Sequence, residues 1–260
     1  MLEGLPRGSS FIEEALQAAD PGDYGGVCVS TAGIVDYARG VVTEANEALM
    51  PGYTGTKIAD HVLRAHGLPC HVENDVNCAA MAEYYLGAAR GAKSCLALTV
   101  GTGSGGAFIS DGKLLHGHTN SACEVGYILM GERSFEEEYA TSVLVERCGA
   151  ADGREVFARA KSGDALCRRE IERMCDGLAR GIAMLCYVLN PEIVVIGGGI
   201  SAQSALLQPL IRAGMDRYLI AAVAENTKLA FAACGNRAGM LGSYYAMRAM
   251  RAQQETANNA

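Results

Sequence analysis

Along the chain, short apolar runs alternate with longer stretches whose apolar residues recur every three or four positions. Runs of the first kind fit strands and stretches of the second kind fit amphipathic helices. Their alternation predicts an α/β fold with largely parallel strand pairing. Gly26–Ser30, Cys70–Glu73, Ser94–Val100, Glu192–Ile196 and Leu229–Ala233 read as strands. Val35–Thr43 reads as a hairpin around Gly40, and Asp111-Gly112 as a tight turn from the strand Ala107–Ser110 into Lys113–Leu115. Helices are predicted over Phe11–Ala19, Gly55–His66, Asp75–Gly87, Ala202–Ala213 and Gly239–Arg251, with a frayed polar end from Gln253 to Ala260. In Gly55–His66, Ile58, Val62 and Leu63 are expected on one face. The longest helix carries Ile171, Met174, Leu178, Ile182, Leu185 and Leu189 at steps of three and four, and Asn190-Pro191 ends it.

Half of the 260 residues are hydrophobic, enough for one large core or two smaller ones. The formal net charge of −7 argues against general binding to nucleic acid or an anionic membrane, since both require a basic face. It does not exclude a phosphate ligand, which backbone N–H groups and a bound metal can hold. No apolar run approaches the roughly 18 residues of a spanning helix. The ten cysteines include no C-x-x-C pair, and Cys28, Cys95 and Cys186 sit within apolar runs. They read as small buried hydrophobes in a reducing compartment, which points to the cytoplasm.

Four segments carry candidate chemistry. Glu73-Asn74-Asp75-Val76-Asn77 lies where a strand ends and a helix begins, the edge at which ligands collect in α/β sheets. A carboxylate there can take the proton of an attacking hydroxyl, and an Asn side chain both donates and accepts, which suits a sugar diol. Asn74 or Asp75 equally reads as the helix N-cap, and the two roles are compatible. The run from Gly101 to Gly106 could bring backbone N–H groups to phosphate oxygens, with Thr102 adding a hydroxyl. A plain tight turn reads as well, and no Lys-Ser/Thr of a Walker loop follows. Gly197-Gly198-Gly199 lies between a strand and a helix and is either a flexible connection or a seat for a planar ring or phosphate. Glu124, flanked by small and apolar residues, is either a paired core charge or a ligand contact. His116 and His118, with no thiolate pair nearby, read as ordinary residues rather than zinc ligands.

In order and spacing these segments resemble the ROK family of sugar kinases and sugar-responsive repressors. The likeness runs from about Gly26 to Tyr245, through VCVSTAGIVD (27–36), VENDVNCAA (72–80), LTVGTGSGGAFISDGKLLHG (98–117), SACEVGY (121–127), NPEIVVIGGGI (190–200) and AGMLGSYY (238–245). The resemblance implies an actin-like, hexokinase-type (ribonuclease H-like) two-domain fold with ATP and sugar meeting between the domains. It implies a smaller domain over 1–92 with a returning helix at 238–260, and a larger one over 93–237. It implies Asp75 as catalytic base and Gly33, Asn74, Glu124 and Glu137 as sugar contacts. Gly101, Thr102, Gly103, Gly105 and Gly197 to Gly199 would lie near the nucleotide. ATP with Mg²⁺ is the implied co-substrate, a hexose or N-acetylhexosamine the implied acceptor, and a homodimer the implied assembly.

Three positions depart from the family pattern. Tyr127 stands where the family's zinc site has a His, and Gly131–Glu138 contains no cysteine, so no structural zinc is expected. The residues before Gly26 do not spell the family's Asp-x-Gly-Gly-Thr phosphate hairpin, so an incomplete N-terminal domain and impaired phosphate binding are expected. Ser104 replaces a usual aliphatic residue.

Overall fold

The computed structural model describes residues 25–258, with side chains to residue 252. The helix expected at Phe11–Ala19 and the expected lack of a phosphate hairpin before Gly26 lie outside the described residues. In chain order the elements are β1 (Val27–Thr31), β2 (Ile34–Asp36), β3 (Val41–Glu44), α1 (Ile58–His66), β4 (Cys70–Asn74) and α2 (Asp75–Tyr85). Then follow β5 (Ser94–Val100), β6 (Ser104–Ser110), β7 (Lys113–Leu114), α3 (Phe135–Tyr139), α4 (Thr141–Cys148), α5 (Gly153–Lys161) and α6 (Ala165–Leu189). The chain closes with β8 (Ile193–Gly197), α7 (Ser204–Tyr218), α8 (Ala221–Ala224), β9 (Lys228–Phe231) and α9 (Ala238–Asn258). The helix α9 continues to Asn258, past the expected frayed end, in a stretch rich in good helix formers.

The chain divides into two compact units. Of the described residues, the first comprises those up to Ala82, His116–Ala122 and those from Asn236 onward; the second comprises Glu83–Leu115 and Cys123–Gly235. Three segments therefore fall differently from the sequence expectation, 83–92, 116–122 and 236–237, and the first two have a polar cause. Glu83, 2% exposed, accepts hydrogen bonds from the amides of Ala233 (2.9 Å), Cys234 (2.8 Å) and Ala88 (2.8 Å), which ties the start of the 83–92 segment into the second unit. His116 bonds to Glu73, which ties 116–122 into the first.

In the first unit β1 pairs in parallel with β4, placing Ser30 beside Glu73 and Thr31 beside Asn74. β2 and β3 form the antiparallel hairpin expected around Gly40. Val35, Val42, Ile58, Val62 and Val72 build the core beneath them. Leu63 does not join that face. It is 55% exposed, because a residue five positions beyond Ile58 points well away from the Ile58–Val62 stripe.

The second unit is built on a five-stranded sheet of order β7-β6-β5-β8-β9. β5 runs antiparallel to β6 and parallel to β8, and β8 runs parallel to β9. The long helix α6 buries Ile171, Met174, Leu178 and Ile182 in its core, while Leu185 and Leu189 pack at its margin. Asp164 caps it by accepting from the amides of Leu166 (3.0 Å) and Cys167 (3.1 Å), which helps hold its carboxyl down at a pKa of about 2. The short helices α3, α4, α5 and α8 have no counterpart in the apolar pattern, since one to two turns carry too little periodicity to register. Two of them are marked by caps instead: Ser134 and Glu137 form a capping box for α3, and Asp152 accepts from Glu155 (2.8 Å) at α5, whereas α4 and α8 begin after Ala140 and Ile220 without a side-chain cap. All ten cysteines are free thiols. Burial pushes Cys95 up to about 12 and Cys186 to about 11, as expected of thiols used for packing. Among the described residues no helix is long and apolar enough to cross a membrane.

Candidate functional site

The strand β4 delivers its last residues to the start of α2, and there the polar side chains organise one another. Asn74 is the cap: its Oδ1 accepts from the amides of Val76 (2.8 Å) and Asn77 (3.1 Å). Its Nδ2 donates to the carbonyl of Gly33 at 2.9 Å. Gly33 sits at φ +94°, and a side chain there would run into the Glu44 carbonyl, so only glycine offers Asn74 this carbonyl. Gly33 and Asn74, two of the expected sugar-binding residues, thus meet in one hydrogen bond.

Because Asn74 takes the cap, Asp75 is spared that duty. Its Oδ1 accepts only locally, from the amide of Val76 at 2.9 Å, and the residue remains open to solvent. Surrounding protein nonetheless desolvates the carboxyl and pushes its pKa above the ordinary aspartate value, with the Val76 amide opposing the shift. A carboxylate at a strand–helix junction, accessible and made more basic than usual, is suited to accept a proton.

Behind it lies a second carboxylate that the sequence reading left without a role. Glu73 is 2% exposed and accepts from the amide of Asn74 (2.8 Å), from Nδ2 of Asn77 (2.9 Å) and from Nε2 of His116 (2.8 Å). Burial alone would raise its pKa; the His116, Asn77 and Asn74 bonds outweigh burial and hold it below the usual glutamate value. His116 stacks on Tyr37 with ring centroids 3.9 Å apart. The reading of His116 as an ordinary residue therefore missed a partner 43 positions away. The one available signal was an acid at an inward-facing strand position, which needs a counter-group.

In the second unit the glycine-rich run is not one loop. Gly101, Thr102 and Gly103 make the turn, and the strand resumes at Ser104, earlier than the expected Ala107. Gly105 and Gly106 pair with Thr99 and Leu98 inside β6. Gly106 is a packing glycine: a Cβ on it would lie 2.9 Å from the Cys123 carbonyl and 2.8 Å from Val125. The turn itself is tied to α4, whose Thr141 amide donates to Gly101 O (2.8 Å) and whose Ser142 hydroxyl donates to Thr102 O (2.7 Å). The amide of Ser104 donates to Oε2 of Glu136 at 2.7 Å, and that carboxylate stands against Gly103. A protein carboxylate thus occupies the backbone N–H at the exit of this turn.

Gly197 ends β8, and Gly198 follows at φ +84°. A side chain on Gly198 would collide with the backbone of Val100, whereas a Cβ on Gly199 would meet none of the described residues within 4 Å. The Gly198 carbonyl accepts from the Ser201 hydroxyl at 2.6 Å as the chain enters the 3₁₀ turn Gly199–Gln203. Glu124 precedes the 3₁₀ turn Val125–Tyr127 and is partly buried. Glu137 is exposed; its carboxylate accepts from the Ser134 amide at 2.8 Å, which lowers its pKa. Its neighbour Glu138 is held by Arg147 at 3.2 Å and by Arg173. Among the described residues, no group of three or more His, Cys, Asp or Glu side chains is placed to hold a metal ion.

Known proteins share this architecture. An uncharacterised protein of Clostridium perfringens is 44% identical over 231 residues, covering 86% of this chain and 78% of its own length. A crystal structure of a ROK hexokinase from Thermus thermophilus superposes with a TM-score of 0.81 at 28% identity, covering 92% of this chain and 86% of that one. A ROK family glucokinase from Streptomyces griseus, solved in complex with glucose and AMPPNP, gives a TM-score of 0.78 at 26% identity, covering 92% and 88%. The fold is the actin-like, hexokinase-type one that the motifs implied. The family model for ROK matches residues 9–249, nearly the whole chain, and on that match this chain belongs to the ROK family.

Proposed function

We propose that this chain transfers the terminal phosphoryl group of ATP to a hydroxyl of a hexose or N-acetylhexosamine, with Asp75 as general base. The observation that carries the reading is the division of labour at the β4–α2 junction. Asn74 caps the helix, so Asp75 keeps an accessible carboxylate whose basicity burial has raised. A base of that kind contributes about 10²–10⁴-fold to proton removal from the attacking hydroxyl. Family membership and the likeness to a hexokinase and a glucokinase support the same reaction class.

Asn74, with Gly33 behind it, would orient the sugar hydroxyls, and Glu124 and Glu137 are proposed as further sugar contacts. The turn Gly101–Gly103 and the turn Gly197–Gly199 would take the nucleotide, with Gly105 supporting the first from within β6. Mg²⁺ would accompany ATP and neutralise charge on its phosphates, where phosphoryl transfer needs most stabilisation. Ten free thiols fit action in the reducing cytoplasm. Assembly as a homodimer is part of the proposal, and a single monomeric species in light scattering would remove it.

The test is ADP release measured with a panel of hexoses and N-acetylhexosamines, beside calorimetric sugar binding, for the wild type and Asp75→Asn. The proposal expects sugar-dependent ADP release that the substitution removes while sugar affinity persists. Sugar binding without ADP release in the wild type would replace the kinase reading by that of a non-catalytic sugar binder.

A further inference from the structure

We propose that Glu73 and His116 are positioning residues for the Asn74–Asp75 junction: the buried carboxylate fixes the turn that presents both side chains, and the imidazole holds the carboxylate. The inference rests on the sugar-kinase reading above and deepens it.

A carboxylate this buried is destabilising unless donors surround it. Glu73 has three, and their placement is specific. Oε1 takes the amide of Asn74 (2.8 Å), immediately before Asp75, and Nδ2 of Asn77 (2.9 Å), two residues after it. One oxygen therefore clamps both flanks of Asp75. The Asn74 side chain closes a second ring over the same residues through Val76 and Asn77. Loss of the Glu73 clamp frees the Asn74 peptide and the Asn77 side chain together, and with them the backbone that carries Asp75.

The other oxygen, Oε2, takes Nε2 of His116 at 2.8 Å. That ring is fixed from a second side by Tyr37, at an interplanar angle of 27°, and its backbone carbonyl accepts from the Ala122 amide at 3.1 Å. His116 thus anchors the 116–122 segment and the residue following β2 to the carboxylate behind Asp75. His71, on the same strand, cannot substitute for it. It is buried, neither ring nitrogen has a hydrogen-bond partner among the described residues, and burial favours its neutral form.

The experiment compares wild type, Glu73→Gln, His116→Gln, His116→Ala, Asp75→Asn and the Glu73→Gln/Asp75→Asn double variant. Glu73→Gln keeps shape but turns one acceptor into a donor. It is expected to lower kcat about tenfold or more, since small misplacements of a reacting group cost that much, with the KM for ATP within about twofold of wild type. Added to Asp75→Asn it should cost nothing further, because the two act through one base. Hydrogen exchange of the Asn74–Asn77 amides should quicken about tenfold in Glu73→Gln and His116→Ala, and His116→Gln, which keeps a donor, should restore most of the protection. Unchanged exchange at Asn74–Asn77, wild-type kcat in Glu73→Gln, or full additivity with Asp75→Asn would each overturn the inference. A wild type without sugar turnover, or one whose turnover survives Asp75→Asn, would overturn the kinase reading instead; the exchange measurement would then still decide whether Glu73 and His116 hold the junction.

Discussion

The β4–α2 junction and the glycine turns of the second unit make an instructive pair. Both attract attention in the sequence, one by clustered polar residues and the other by clustered glycines. At the junction every polar residue from Glu73 to Asn77 has an identifiable partner or task, and the tasks interlock around Asp75. In the glycine segments the reasons are mixed. Gly106 and Gly198 are glycines because neighbouring protein leaves no room for a Cβ, whereas a Cβ on Gly101 or Gly199 would meet none of the described residues within 4 Å. A polar cluster at a strand–helix edge is thus informative residue by residue. A glycine cluster must first be divided into glycines that packing demands and glycines that leave a space open.

The contrast can be broken most sharply at Asp75. Asp75→Asn should reduce sugar phosphorylation by about 10²–10⁴-fold, measured as kcat in a coupled ADP assay. It should not reduce stability at neutral pH. The folded-state pKa of Asp75 is raised, so its ionised form is the one that folding disfavours. Stability linked to that proton is fully present below the ordinary aspartate value and is lost as pH rises through the folded pKa. The variant's Tm advantage should therefore appear at neutral pH and vanish in acid.

Next in size are the packing glycines. Gly198→Ala combines a positive φ with a collision against Val100 and should cost about 1–3 kcal/mol or more in urea denaturation. Gly106→Ala should also destabilise, by forcing Val125 aside. The open pair should behave oppositely. Gly101→Ala and Gly199→Ala are expected to leave Tm nearly unchanged and to raise the KM for ATP, as a methyl group enters space proposed for the nucleotide. A large Tm loss in either, with no change in KM, would erase the distinction drawn here.

The smallest expected effect concerns Glu136. If the Gly101–Gly103 turn receives phosphate, the carboxylate on the Ser104 amide competes with it. Glu136→Gln should then lower the nucleotide Kd by a few-fold, about the worth of one partly exposed charge. Unaltered or weaker nucleotide binding would place the phosphates elsewhere.

Much of this was legible in one dimension. The strands β1, β4, β5, β8 and β9 and the helices α1, α6, α7 and α9 follow from apolar runs and from spacings of three and four, which report local burial directly, and α2 follows from its capping residues. Asp75 and Asn74 were legible because a strand–helix edge can be located from the pattern. Leu63 was misplaced because a two-turn helix gives a coarse estimate of its buried face. The short helices α3, α4, α5 and α8 escaped because each is too short to display an apolar period; α3 and α5 are set by caps, while α4 and α8 start without one.

By itself, then, the order of residues determined the main strands and the longer helices, the family likeness and the polar cluster at the end of β4. Only the tertiary structure decided that Asn74 is the cap, that Glu73 finds His116, and that Glu136 reaches Ser104. Those bonds join residues that are distant in the chain or that compete for the same amide. The free energy of such a bond depends on burial and on the geometry of both partners, which a linear pattern does not contain.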